Sequence, residues 1–331
     1  MKAARLHAAD DLRVADEPVP AARPGECLVR VTAVGICGSD LHWWSEAGIG
    51  DSTLDHPLVL GHEAAGVIAD GPRRGERVAI DPAIPCGICR PCRDGYRNLC
   101  IRIRFAGHGH QDGALREFMT WPAGQLYVLP DTLSDTDGAV LEPLGVAIHA
   151  LDLGHLRLGG TAAVAGCGPI GLLLIQVLQA AGAGEITAFE PLAHRRAAAA
   201  ALGVAAVSPA EAAGLTGDGV DVAFEVAGTD AAVQLAVAAT RPGGRVVLGG
   251  IPDDDKTSFS ASVARRKGLT IAMVRRMNEV YPRAIGLAAE KRVDLATLVT
   301  ARYPLAEAAG AFRSAAARTG LKVIIEPTPA P

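Results

Sequence analysis

The sequence predicts an α/β protein of two domains, one rich in β-strand and one built on a doubly wound parallel sheet. Three observations lead there. The chain has 331 residues, 49% hydrophobic and 21% charged, which is enough to bury two separate cores. Residues 2–79 read as short alternating strands broken by turn residues, such as 26–34 after Arg23-Pro24-Gly25 and 66–69 before Gly71-Pro72. From about residue 145 strand-like and helix-like stretches alternate, which implies βαβ units and a parallel sheet.

In that second region, residues 161–165 form an apolar strand, and 172–181 a helix entered through a Gly-Pro turn. A strand at 185–189, an alanine-rich helix at 195–202, a strand at 222–226, a helix at 231–239 and a strand at 245–248 follow. After residue 270 come a strand at 271–274, two alanine-rich helical stretches and a last strand at 321–325. No fixed-period repeat is present.

Net charge is −4, from 32 basic and 36 acidic residues with no run of either sign. That excludes an electrostatic footprint for nucleic acid or an anionic membrane and favours a small-molecule partner. The first 20 residues meet Asp10, Asp11, Asp16 and Glu17, so they make no secretory apolar core. The most apolar run, 172–181, falls well short of the roughly 20 residues that a membrane span needs. A cytoplasmic protein is expected, in which seven cysteines stay reduced and their clustering points to metal rather than disulfides.

Cys86, Cys89, Cys92 and Cys100 place four thiols in 15 residues, the soft tetrahedral set of a structural Zn²⁺. Such a site is coordinatively closed and holds a loop together without doing chemistry. A second set is dispersed: Cys37 in Gly-Ile-Cys-Gly-Ser-Asp40, His62-Glu63 in Gly-His-Glu, and Glu142 in Leu-Glu-Pro-Leu-Gly145. Mixed sulfur, nitrogen and oxygen donors suit a catalytic zinc that keeps a position for water. Each alone is ordinary, a core cysteine or a surface histidine; their order along the chain gives the reading its force.

Gly166-Cys-Gly168-Pro169-Ile170-Gly171 follows the strand at 161–165 and opens the helix after it, the context of a Rossmann dinucleotide fingerprint. Glycines let the backbone approach a pyrophosphate, and the helix N-terminus supplies N–H groups and positive dipole. Glu190 ends the next strand 19 residues past Gly171, where an acid accepts ribose hydroxyls and repels a 2′-phosphate, favouring NAD. Arg195 and Arg196 are the competing signal, since an arginine pairs with that phosphate.

With these constellations in this order, the chain resembles the zinc-containing medium-chain alcohol dehydrogenase superfamily over essentially its whole length. It looks most like the polyol branch of sorbitol, xylitol and L-idonate 5-dehydrogenases, with threonine and butanediol dehydrogenases further off. The residues that carry this are Gly-Ile-Cys37-Gly-Ser-Asp-Leu-His42, Pro57-Leu-Val-Leu-Gly-His62-Glu63, the lobe from Cys86 to Cys100, and Leu141-Glu-Pro-Leu-Gly-Val-Ala-Ile-His149. Glu142 points to the polyol branch, because other members use a cysteine as third protein ligand; Cys167 is a rival ranked below it. Two departures bear on the substrate pocket: the segment 67–77 is short, and Trp43-Trp44 replaces an aromatic pair that is often tyrosine.

The resemblance implies a GroES-like catalytic domain of residues 1–147 and 272–331, with a Rossmann domain of 148–271 inserted into it. It implies two zinc ions per chain, the structural one on the four-cysteine lobe and the catalytic one on Cys37, His62 and one or both of Glu63 and Glu142. Zinc then lowers the pKa of a secondary alcohol, and hydride passes to NAD. Ser39 and His42 match the family's proton relay, and Asp40 orients His62 from behind. Trp43 and Arg275 are candidates for contact with substrate, with Arg276 beside the latter; Trp43 and Trp44 also suit a subunit contact. His108 and His110 suggest either an extra metal or a glycine-rich loop near the active site. Relatives are homodimers or homotetramers. A dehydrogenase of another secondary alcohol (cyclitol, 2,3-butanediol, L-threonine) is the alternative within enzymes. A zinc-free quinone reductase or redox-sensing binding protein is the alternative from another class.

Overall fold

The strand Glu26–Gly35 organises the first part of the chain. Over its first half only every second side chain is buried, as expected of a sheet with one wet face, whereas Val31 to Gly35 are buried throughout. The computed structural model describes residues 1–212 and 217–328. These form two compact units, Met1–Glu142 with Tyr281–Ala289 and the chain from Leu295 onward, and Pro143–Val280 with Glu290–Asp294.

In the first unit a seven-stranded sheet runs in the order Leu126–Val128, Arg77–Ile80, Glu63–Ile68, Glu26–Gly35, Lys322–Glu326, Val299–Pro304, with Phe118–Pro122 also on Glu26–Gly35. The last strand pairs antiparallel with the first long one, setting Ile324 opposite Gly35. Leu6, Leu58, Leu60, Trp43, Trp121 and Phe312 fill the core below it. Each of the leucines is fully buried and contributes roughly 1.5–3 kcal/mol over an exposed one.

The second unit holds a six-stranded, wholly parallel sheet in the order Ala205–Val207, Ile186–Phe189, Ala162–Ala165, Val220–Glu225, Thr240–Leu248, Thr270–Met273. In chain order this is 3-2-1-4-5-6, the doubly wound arrangement of a Rossmann domain. Its order reverses beside Ala162–Ala165, the strand that enters the glycine motif.

One expected boundary needs correction. The sequence ends the coenzyme domain at 271, but Thr270–Met273 is the sixth strand of the parallel sheet, and the chain stays with that unit to Val280. Strand pairing decides the point, and pairing is invisible to composition. At the other boundary the division falls between Glu142 and Pro143 rather than at 147/148, inside the helix Asp135–Gly154. Pro143 removes one backbone donor there. Among the described residues no helix is long and apolar enough to cross a membrane.

Candidate metal and coenzyme sites

Cys37 stands at the N-cap of the helix Gly38–Glu46, directly after the strand Glu26–Gly35. Its backbone N–H donates to Asp40 Oδ2 at 3.0 Å, so the first helical turn is tied to the residue that carries the thiol. His62 and Glu63 come from the neighbouring strand, where Glu63 lies opposite Gly35. A Cβ on Gly35 would sit 2.0 Å from Glu63 Oε2, so only glycine lets this carboxylate fold over the strand. One ligand atom each of Cys37, His62 and Glu63 then lie within 4.8 Å of one another.

The electrostatics of this pocket suit a cation. Asp40, 1% exposed, accepts from Gly61 N–H at 3.2 Å and lies 3.3 Å from His62 Nδ1. Burial opposes ionisation of Asp40, but the charge of His62, its hydrogen bond and two backbone N–H groups outweigh that and hold the carboxyl below its ordinary value. Burial likewise opposes a charged imidazole, yet Asp40 and Cys37 raise His62 well above its usual range. An anionic surround that draws positive charge onto a ligand-bearing histidine fits a bound Zn²⁺ in that place.

Sequence reasoning missed Lys322. Its ammonium donates to both oxygens of Glu63 at 2.7 Å and to Ile36 O at 3.0 Å. Both side chains are buried, at 3% and 1% exposure. The signal was a lone charge inside the apolar run Leu321 to Ile325. Glu142, 4% exposed, is outside the three-residue group, but its carboxyl feels His62 and Glu63. It is pushed up to about 7, by burial first and with Glu63 adding, against the opposing pull of His62.

Ser39 Oγ is 3.5 Å from His62 Nε2. His42 follows one turn later on the same helix, and its Nδ1 lies 3.1 Å from Glu46 Oε1, a partner one turn further on that the sequence reading did not include. Trp43 is 2% exposed, part of the core, and meets His108 edge-on with centroids 5.5 Å apart. Trp44 is half-buried, its ring 6.1 Å from that of Phe312. Arg275 is exposed in the second unit, just past Thr270–Met273, and Arg276 has a left-handed φ of 56°.

The four lobe cysteines converge, with ligand atoms within 4.8 Å of one another and all four thiols free. Cys86 N–H and Arg102 N–H both donate to Cys100 Sγ, at 3.2 and 3.4 Å. The backbone N–H of Cys92 draws the Cys89 thiol down to about 6, while burial and the adjoining thiols push Cys92 up to about 12. Four sulfurs this close cannot all ionise without a cation among them, which is the demand that a structural zinc meets.

In the second unit the turn after Ala162–Ala165 needs its glycines. Gly166 has φ +102°, and a Cβ on Gly171 would fall 1.9 Å from Gly166 O. Gly168 caps the helix Pro169–Ala180, with Pro169 and Ile170 as its first residues and their N-terminal dipole facing the turn. Glu190, directly after the strand Ile186–Phe189, is buried, Oε2 accepting from Cys167 N–H at 2.8 Å and Oε1 from Leu192 N–H at 3.0 Å. A carboxylate has further lone pairs, so these bonds position it and leave acceptor capacity for ribose hydroxyls. The arginines divide: Arg195 Nη1 lies 3.5 Å from where a Cβ of Gly168 would be, while Arg196 turns back onto Glu190 O at 2.9 Å. Cys167 is buried in this unit and outside both metal groups.

Family models match in two places, the alcohol dehydrogenase GroES-like domain over residues 23–131 and the zinc-binding dehydrogenase over 169–290. Sorbitol dehydrogenase of Bacillus subtilis (strain 168) is 36% identical, covering 95% of this chain and 93% of that protein. Among solved structures, L-idonate 5-dehydrogenase of Escherichia coli has a TM-score of 0.92 at 27% identity, covering 98% and 97% of the two chains. A Sinorhizobium meliloti protein described as a zinc-binding dehydrogenase, solved with NADP, has a TM-score of 0.89 at 31% identity, covering 98% and 99%. The chain belongs to the zinc-binding alcohol dehydrogenase family. It is an oxidoreductase acting on CH–OH donors.

Proposed function

We propose that the chain oxidises a secondary alcohol of a polyol or sugar acid, of the L-idonate, sorbitol or xylitol type, to the ketone with NAD. The convergence of Cys37, His62 and Glu63, a mixed donor set whose oxygen is a carboxylate, carries this reading. The likeness to the Bacillus sorbitol dehydrogenase and the Escherichia L-idonate 5-dehydrogenase supports the substrate class. When bound, zinc polarises a hydroxyl oxygen and NAD accepts hydride.

The chain's own residues do the rest. Cys37, His62 and Glu63 hold the ion, with Glu142 as a second carboxylate toward the same charge. Asp40 accepts from His62 Nδ1–H, which fixes the tautomer and leaves the Nε2 lone pair for the metal. Ser39 takes the proton released by the substrate hydroxyl and His42 passes it outward, steadied by Glu46. Gly166, Gly168 and Gly171 admit the coenzyme's pyrophosphate, Glu190 takes its ribose hydroxyls, and Arg195 flanks it. Trp43 backs the pocket, and Arg275 recognises the substrate. The reading includes a cytoplasmic homodimer or homotetramer.

Initial rates of NAD and NADP reduction at alkaline pH test this, across L-idonate, sorbitol, xylitol, myo-inositol, 2,3-butanediol and L-threonine, with and without a chelator. Chelator-sensitive turnover of idonate or a sugar alcohol is expected, and Cys37→Ala or His62→Ala should abolish it while coenzyme still binds. Turnover of only butanediol or threonine would move the substrate class. Turnover retained in the two variants would overturn the site.

A further inference from the structure

The Gly107-His-Gly-His110 stretch has no part in the chemistry above, yet His110 has company. Its imidazole stacks on His56, with ring centroids 4.7 Å apart and planes inclined by 6°. Asp55 lies against both, Oδ1 at 2.5 Å from His56 Nδ1 and Oδ2 at 3.7 Å from His110 Nε2. One ligand atom from each of the three lies within 4.8 Å of the others. The side chains of Asp55, His56 and His110 are 62%, 36% and 81% exposed, so ions reach them from solvent. His56 comes from the segment before Leu58–Val59 and His110 from a turn some fifty residues on, so the fold alone brings them together.

We propose that Asp55, His56 and His110 form a third binding site on the first unit, for a divalent ion of the zinc class. Two neutral imidazole nitrogens and one carboxylate oxygen are a borderline donor set that suits Zn²⁺, Ni²⁺ or Cu²⁺ over Ca²⁺ or Mg²⁺. With metal–ligand bonds of about 2.0–2.2 Å, tetrahedral donors stand roughly 3.3 Å apart, so these side chains close by at most about 1.5 Å. Exposed rotamers make that adjustment at little cost, and water completes the coordination.

The site joins two segments of backbone. Residues 107–113 press on the chain just before His62, where a Cβ on Gly107 would come 2.9 Å from Gly61 N and one on Gly113 2.3 Å from Gly61 O. An ion tying His110 to Asp55 and His56 therefore braces the wall next to the catalytic ligands without touching them.

Equilibrium dialysis of the holoenzyme against Zn²⁺, followed by metal counting, tests the proposal. The wild type should retain one more zinc per chain than the His56→Ala/His110→Ala double variant. Asp55→Asn should lower the affinity of the extra ion. Equal zinc in wild type and double variant would overturn the site. Should the double variant fold poorly, His110→Ala alone gives the same comparison at the most exposed of the three positions.

Discussion

Lys322 places its ammonium 2.7 Å from both carboxylate oxygens of Glu63, and neither side chain reaches solvent. Burial disfavours a charged lysine, but Glu63, Cys37 and Glu142 outweigh it and raise the ammonium's pKa. The pair fixes the Glu63 carboxylate in place beside Cys37 and His62.

Removing one partner of such a pair leaves a buried charge uncompensated, which costs about 3–5 kcal/mol. Lys322→Met should therefore lower the unfolding midpoint in denaturant and lower zinc content at the Cys37 site. Lys322→Arg should restore part of both. Unchanged stability together with unchanged zinc content in Lys322→Met would show that the pair is dispensable.

Coenzyme choice should turn on Glu190. Hydrogen bonds to a charged group are worth about 1.5–3 kcal/mol, so Glu190→Ala should raise KM for NAD by roughly 10- to 150-fold. KM for NADP should fall, because Arg195 then faces the 2′-phosphate without an opposing carboxylate. Adding Arg195→Ala should reverse the NADP gain. Parallel loss for both coenzymes would place Glu190 in the support of the turn only.

A third expectation concerns pH. Glu225 ends its strand 1% exposed, and burial raises its pKa although Ala227 and Gly228 donate backbone N–H bonds to Oε1 at 2.7 and 2.6 Å. The native state therefore holds this proton more tightly than the unfolded chain does. Its contribution to stability is fully present below the unfolded carboxyl pKa and is lost as pH rises through the folded one. Glu225→Gln keeps an oxygen for the two N–H groups and removes the titration. Its stability should fall less than that of wild type between acid and neutral pH, as denaturant titrations at several pH values would measure; parallel pH profiles would rule the effect out.

What could be read early was local in the chain. Four thiols in 15 residues and the spacing Gly166, Gly168, Gly171 state their chemistry by adjacency, and the strand–helix alternation around them declares the parallel sheet. Residues that act across the fold were harder. Lys322 gives no motif; it matters because Lys322–Glu326 pairs beside Gly35, and strand partners cannot be derived from alternation. Strand Thr270–Met273 was placed at the edge of the wrong domain for the same reason. Trp43 shares its helix with Ser39, His42 and Glu46, and only its packing against His108 shows which face turns inward. His56 and His110 stand too far apart in sequence to suggest the stacking that joins them.

Glu63 and the lysine that neutralises it are separated by 259 residues, with the whole parallel-sheet unit made between them. On the ribosome the anionic pocket is therefore synthesised early and its countercharge late. Until that strand emerges Glu63 has no lysine beside it, so the pocket around Cys37 and His62 is completed after the nucleotide-binding unit already has its full sheet. Contacts of such long range also slow folding, because the loop must close before the pairing rewards it. The order of synthesis thus leaves the pairing of Glu63 with Lys322 among the last contacts that the first unit can complete.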